Sequence, residues 1–120
     1  MSNNQPTAII TGASGGYGAG IAEIFTQRGF HVWITARNAS KLNDVASRTG
    51  ATALPADVTS AADWDRVIKT VLDGSGRIDA LVNNAGAAGR IAPTADLSDE
   101  EIAATLSLNL TSVILGCRRV

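Results

Sequence analysis

A chain of 120 residues with 45% apolar and 18% charged side chains has room for one small hydrophobic core and is too apolar to stay disordered. Its net charge of −1, with neither sign clustered, provides no footprint for nucleic acid and no polybasic membrane surface. A single cysteine, Cys117, excludes an internal disulfide framework and leaves a metal site short of ligands. No apolar run approaches the ~20 residues of a membrane span, and the N-terminal SNNQP has neither a basic region nor an apolar core, so a soluble, cytoplasmic protein is expected.

Ala8, Ile9, Ile10 and Thr11 read as a buried strand running into a loop with Gly12, Gly15, Gly16, Gly18 and Gly20, after which helical spacing begins. Glycine serves where backbone approaches a ligand closely, and a helix that starts there turns unpaired N–H groups and its positive dipole end toward a phosphate or pyrophosphate. A P-loop requires Lys and Ser/Thr after its last glycine, whereas Tyr17 and Gly18 follow Gly16. Residues 12–16 match the G-x-S-x-G of serine hydrolases, yet the only histidine, His31, precedes every aspartate, against that class's order of Ser, acid, His. G-x-G-x-x-G fits nowhere in the loop. Thr-Gly-x-x-x-Gly-x-Gly does, through Thr11, Gly12, Gly16 and Gly18.

A first helix is expected from about Tyr17 to Gln27, with Tyr17, Ile21, Ile24 and Phe25 on one face at helical spacing and Gly29 as its stop. Phe30 to Thr35 reads as a second strand, Lys41 to Arg48 as a short helix ended by Gly50, and Thr52 to Ala56 as a third strand closed by Asp57. Ser60 and Asp63 open a third helix whose Trp64, Val67, Ile68, Val71 and Leu72 fall at helical spacing, broken by Gly74 and Gly76. Ala80 to Val82 forms a fourth strand entering Asn83 to Gly86. Ser98 and Glu101 then make a capping box for a long helical segment that includes Asn109. Strands separated by helices imply right-handed crossovers, so the expected architecture is α/β, a Rossmann-type doubly wound parallel sheet of about four strands. Ligands of such sheets sit beyond the carboxyl ends of the strands, where the glycine loop, Asp57 and Asn83 to Gly86 all fall.

TGASGGYG at Thr11–Gly18, ADVT at Ala56–Thr59, NNAG at Asn83–Gly86 and NLTSV at Asn109–Val113 together resemble, in order and spacing, the motifs of the short-chain dehydrogenase/reductase family. Gly12, Gly15 and Gly18 also meet the spacing of the family's extended, epimerase-like branch; NNAG decides for the ordinary reductase branch. The resemblance implies that Gly12, Ser14, Gly16, Tyr17 and Gly18 wrap the phosphates of a nicotinamide dinucleotide. It implies further that Asp57 and Val58 border the adenine and that Asn84, Ala85 and Gly86 line the ribose and nicotinamide side. Asn109 would hold a water in a proton relay from a catalytic lysine. A carbonyl or alcohol would be the substrate, and a homo-oligomer the expected assembly.

Simpler readings stand beside these. Asp57 can cap the turn that follows it, and Asn83 can bond neighbouring strands. His31 reads as a surface strand-edge histidine, Cys117 as a packing residue, Arg118 and Arg119 as solvated helix charges. Cofactor choice rests on the stretch after strand two, where NAD-binding sheets usually place an acid against the ribose hydroxyls. Ala36 and Arg37 stand there and no carboxylate occurs before Asp44, so NADP is expected over NAD, with Arg37 on the 2′-phosphate. The acid–base pair of the family, a tyrosine and a lysine one helical turn apart, is absent: the only tyrosine is Tyr17, with Ile21 four residues on. The reading is therefore the cofactor-binding part of an oxidoreductase, residues 1–120 forming a dinucleotide-binding domain that stops inside the helix carrying Asn109. A non-catalytic dinucleotide-binding module is the alternative.

Overall fold

The computed structural model describes residues 4–120, so Ser2 and Asn3 of the SNNQP stretch lie outside the described residues. Four parallel strands, β1 (Thr7–Thr11), β2 (His31–Thr35), β3 (Thr52–Ala53) and β4 (Ala80–Val82), stand in the order β3-β2-β1-β4. Helices α1 (Gly16–Gln27), α2 (Ala39–Thr49) and α3 (Ala61–Ser75) make the crossovers. After β4, a 3-10 turn at Thr94–Asp96 leads to α4 (Asp99–Leu106), which passes through a π-helical turn (Ser107–Thr111) into α5 (Ser112–Cys117). This is the Rossmann-type arrangement the strand and helix alternation predicts. Among the described residues, no helix is long and apolar enough to cross a membrane.

Strand alternation divides the core into two layers. Ile10, Val32 and Ile34 turn to the face covered by α1 and α2, where they meet Ala22, Leu42 and Val45; Ile9 and Trp33 turn to the other face and meet Val67 and Val71 of α3. Because both faces of β1 and β2 are covered, neither strand needs a polar side, which explains the unbroken apolar runs.

Several expectations about individual elements are corrected. The buried face of α1 is Gly18, Ala19 and Ala22, with Ile21 and Phe25 half-buried, while Tyr17 and Ile24 point outward. Small side chains let α1 lie close on the sheet, and a larger set would hold it off. Phe30 stays outside β2 and packs its ring 4.9 Å from that of Phe25. The β3 ladder is two residues long, although Leu54 N–H and Ala56 N–H still donate to Ile34 and Ala36 carbonyls at 2.8 and 3.1 Å; Pro55, lacking an N–H, stands between them. α3 runs through Gly74 and is closed by Gly76, which takes the left-handed φ of 78° and donates its N–H to Leu72 O; Gly74 is instead where the Trp33 ring lies, since a Cβ there would stand 2.7 Å from Trp33 Cζ2. Leu72, at the flank of α3, is exposed.

His31 begins a strand flanked on both sides and is half-buried, so it is not a strand-edge surface residue. Trp33 Nε1 donates to Ser75 Oγ at 2.8 Å and Ser75 Oγ lies 2.6 Å from His31 Nδ1. Arg119 is only 17% exposed and donates from Nε to Asp65 Oδ1 at 2.8 Å, tying α5 to α3; it is not a solvated charge. Cys117 is exposed rather than packed, and accepts a weak contact from Asn83 Nδ2 at 3.6 Å. Ile102, Leu106, Leu110 and Ile114 form an exposed stripe at four-residue spacing along α4 and α5.

Ser75→Ala would leave the buried Trp33 indole N–H without its acceptor. A loss of about 1–3 kcal/mol in urea-unfolding stability is expected, with an unchanged far-UV spectrum.

Candidate functional site

Beyond the carboxyl ends of the strands lies a cleft of about 890 Å³, within the ordinary range for a small-molecule site. Its floor and walls come from Gly12, Ser14 and Tyr17 after β1, from Ala36, Arg37 and Asn38 after β2, and from Ala56, Asp57, Val58 and Thr59 after β3. The far side is Asn84, Ala85, Gly86 and Ala87 after β4, with Ala104, Ser107 and Leu108 of the long helix. The structure thus brings together nine predicted residues, Gly12, Ser14, Tyr17, Arg37, Asp57, Val58, Asn84, Ala85 and Gly86. Gly16 and Gly18 form the helix start beside it, and Asn109 stands one contact behind its wall.

Close backbone approach decides the two glycines that matter most. A Cβ on Gly18 would stand 2.5 Å from Gly12 O, 2.7 Å from Asn84 Nδ2 and 2.9 Å from Ala13 Cα. Gly12 takes a φ of +63°, and a Cβ there would stand 2.8 Å from Ala85 Cα. Gly15 is different: its φ of 176° is extended backbone, and a Cβ would meet nothing within 4 Å.

The start of α1 is chemically open. Asn38 caps α2, Ser60 caps α3, and Ser98 with Glu101 forms the predicted capping box of α4, whose first turn also carries Asp99 and Glu100. α1 has no side-chain cap and no acidic residue in its first turn. Its orphan N–H groups and dipole therefore remain available to an anion in the cleft.

On the β3 wall, Asp57 Oδ1 accepts from Thr59 Oγ1 at 2.7 Å and from Thr59 N at 2.9 Å, so the carboxylate caps its own turn. The Thr59 hydroxyl, then the Thr59 N–H, hold the Asp57 carboxyl below its ordinary pKa; partial burial opposes this, and the Arg37 charge adds to the lowering.

Asn109 lies in the π-helical turn, where its side chain is engaged with backbone: Nδ2 donates to Ala87 O at 2.8 Å and Thr105 O at 2.9 Å, and Oδ1 accepts from Ala87 N at 3.1 Å. Both amide hydrogens are thus used, and the loop after β4 is clasped to the long helix. A Cβ on Gly86 would stand 2.8 Å from Asn109 Oδ1, so this clasp also shapes the cleft wall.

Thr11 is the residue that sequence reasoning left as a motif letter. Its hydroxyl accepts from Asn84 N and Ala85 N, each at 3.0 Å, and donates to Val82 O at 3.4 Å, fully using one hydroxyl to join β1 to the β4 exit. Asn84 Nδ2 completes the joint by donating to Gly12 O at 3.0 Å. A polar residue closing an apolar strand was the available signal. Ala104, Ser107 and Leu108 carried none, since only tertiary packing brings that helix to the cleft.

Fold and site together define a Rossmann-type domain with a cleft at the carboxyl edge of its sheet. The family model for short chain dehydrogenases matches residues 6–120, and the chain belongs to that family. It is 35% identical over 118 residues to D-threitol dehydrogenase of Mycolicibacterium smegmatis, covering 94% of this chain and 45% of that protein. The structure of a 3-ketoacyl-(acyl-carrier-protein) reductase from Brucella melitensis, complexed with NADH, superposes with a TM-score of 0.91 at 33% identity, over 98% of this chain and 49% of that one. Actinorhodin polyketide ketoreductase with NADPH gives a TM-score of 0.92 at 30% identity, over 98% and 47%. The chain spans about half the length of the relatives it matches.

Two outcomes follow from this geometry. Gly18→Ala should lower the melting temperature, at a cost of about 1–3 kcal/mol, because Gly12 O and Ala13 Cα beside it are backbone and cannot yield; Gly15→Ala should be neutral or slightly stabilising by the same calorimetry. Asp57 has a depressed folded-state pKa, so its contribution is present above the ordinary carboxylate pKa of about 4 and disappears as pH falls below it. Asp57→Asn should therefore flatten the acid limb of stability, measured by urea unfolding between neutral and acidic pH.

Proposed function

We propose that this chain forms the cofactor-binding domain, residues 1–120, of an oxidoreductase that uses NADP(H) to interconvert a carbonyl and an alcohol. The observation that carries the reading is the uncapped start of α1, set on a glycine joint that no Cβ could enter, at the mouth of a cleft holding Arg37. Gly12, Ser14, Gly16, Tyr17 and Gly18 would hold the phosphates with backbone N–H groups and the helix dipole. Asp57 and Val58 would border the adenine, and Asn84, Ala85 and Gly86 the ribose and nicotinamide. When bound, the dinucleotide supplies or accepts the hydride.

Arg37 is the basis for NADP over NAD. A guanidinium recognises a phosphate through paired charge-assisted hydrogen bonds, and no carboxylate follows β2 before Asp44 to receive ribose hydroxyls. The solved relatives include one with NADH and one with NADPH, so the choice is made by this chain's own residues. Asn109 contributes by clasping Ala87, and the unused lone pair on its Oδ1 is where a relay water would bind.

The chain lacks a tyrosine four residues before a lysine, so proton transfer to the substrate oxygen has no group here. A Tyr-x-x-x-Lys encoded in the same reading frame after Val120 separates this reading from a non-catalytic dinucleotide-binding module. A homo-oligomer in the cytoplasm is the assembly and location proposed for the enzyme.

Arg37→Asp should raise the NADPH dissociation constant roughly tenfold to hundredfold and leave that for NADH unchanged or lower, by isothermal titration calorimetry. An unaltered NADPH-to-NADH ratio would overturn the assignment of Arg37. The 120-residue chain should show no NADPH oxidation against a panel of ketones, and enzyme-dependent turnover would require another proton donor.

A further inference from the structure

Trp64 lies behind both walls of the cleft. Its indole, 2% exposed, donates from Nε1 to Val58 O at 2.8 Å. Its six-membered ring lies against α5 so tightly that a Cβ on Gly116 would stand 2.7 Å from Cη2 and 2.8 Å from Cζ2. The first contact reaches the β3 wall; the second reaches the helix that is continuous with Ala104, Ser107 and Leu108 of the opposite wall.

Peptide planarity gives the first contact its consequence. Val58 C=O and Thr59 N–H belong to one rigid plane and point in opposite directions. Holding the carbonyl toward Trp64 therefore aims the Thr59 N–H at Asp57 Oδ1, where it donates at 2.9 Å. One indole thus sets the orientation of the Asp57–Thr59 turn. The seat on Gly116, reinforced by the Arg119–Asp65 ion pair, sets the distance of that turn from the helix.

We infer that Trp64 is a positioning residue for dinucleotide binding, and that Gly116 must be glycine because Trp64 occupies the space of its side chain. The inference rests on the dinucleotide reading of the cleft. A purely space-filling Trp64 would tolerate phenylalanine with no effect on binding.

The test measures NADPH binding by calorimetry, well below each variant's melting temperature, with the full chain. Trp64→Phe should raise Kd about fivefold, the effect of losing one oriented hydrogen bond. Gly116→Ala should raise it about tenfold, although alanine is the better helix former, because its methyl drives the indole away. Phenylalanine lacks the ring atoms that meet position 116, so the double variant should bind no worse than Trp64→Phe alone. Additive losses, or a Kd within twofold of wild type for Trp64→Phe, would overturn the inference. Hydrogen exchange at the Thr59 amide decides it independently of the ligand: exchange about fivefold faster in both single variants supports it, and unchanged exchange overturns it. Failure of the wild-type chain to bind NADPH would instead sink the cofactor reading, leaving the exchange measurement to decide the role of Trp64.

Discussion

The start of α1 presses against backbone at position 18, and the carboxyl edge of the sheet depends on that contact. Gly12 O is the shared point: Asn84 Nδ2 donates to it, and the space a Gly18 side chain would need is already taken by it. With the helix start so close, the N–H groups of α1 open at the level where Thr11 joins the β4 exit to β1. A methyl group at this point would separate the loop, the helix and the fourth strand together. The anion-binding property of the helix dipole is thus delivered by a packing constraint.

Side chains around the cleft mostly shape it by holding backbone. Thr11, Asn84 and Asn109 each bond main-chain groups, and Asp57 closes a turn on Thr59. This division suits a ligand rich in phosphate and hydroxyl groups, since fixed N–H donors need no reorganisation to receive it. Arg37 stands apart as an exposed charge on the rim of the cleft.

The second layer of the core couples this edge to the rest of the molecule. Trp33 of β2 turns its ring to α3 and Trp64 of α3 turns its ring to α5, each with its indole N–H satisfied, and each needs a glycine on the helix it meets, Gly74 and Gly116. Gly74, which along the chain reads as a helix break, is in fact a seat for an aromatic ring, and so is Gly116. An exposed stripe on α4 and α5 and an edge position for β4 accompany a chain that spans about half the length of its relatives.

Much of the architecture was legible along the chain. The Ser98–Glu101 capping box, the Trp64–Val67–Val71 face of α3 and the strand alternation of Ile9 and Ile10 each depend on neighbours a few residues away, and local geometry settles them. The glycine loop and the NNAG stretch were likewise readable, because the spacing of Gly12 and Gly18 answers to the close backbone approach between them and residues 84–85. What the sequence could not decide was every pairing across long separations. Tyr17 and Ile24 fit the helical period of α1 but stay exposed, while the fully buried face is Gly18, Ala19 and Ala22, with Ile21 and Phe25 packed at its margin. Arg119 finds Asp65, His31 finds Ser75, and Asn109 finds Ala87, each partner chosen when separate elements pack. Periodicity determines which way a side chain faces from its own element; only the tertiary fold determines what stands opposite, because that distance is set by the packing of both elements at once.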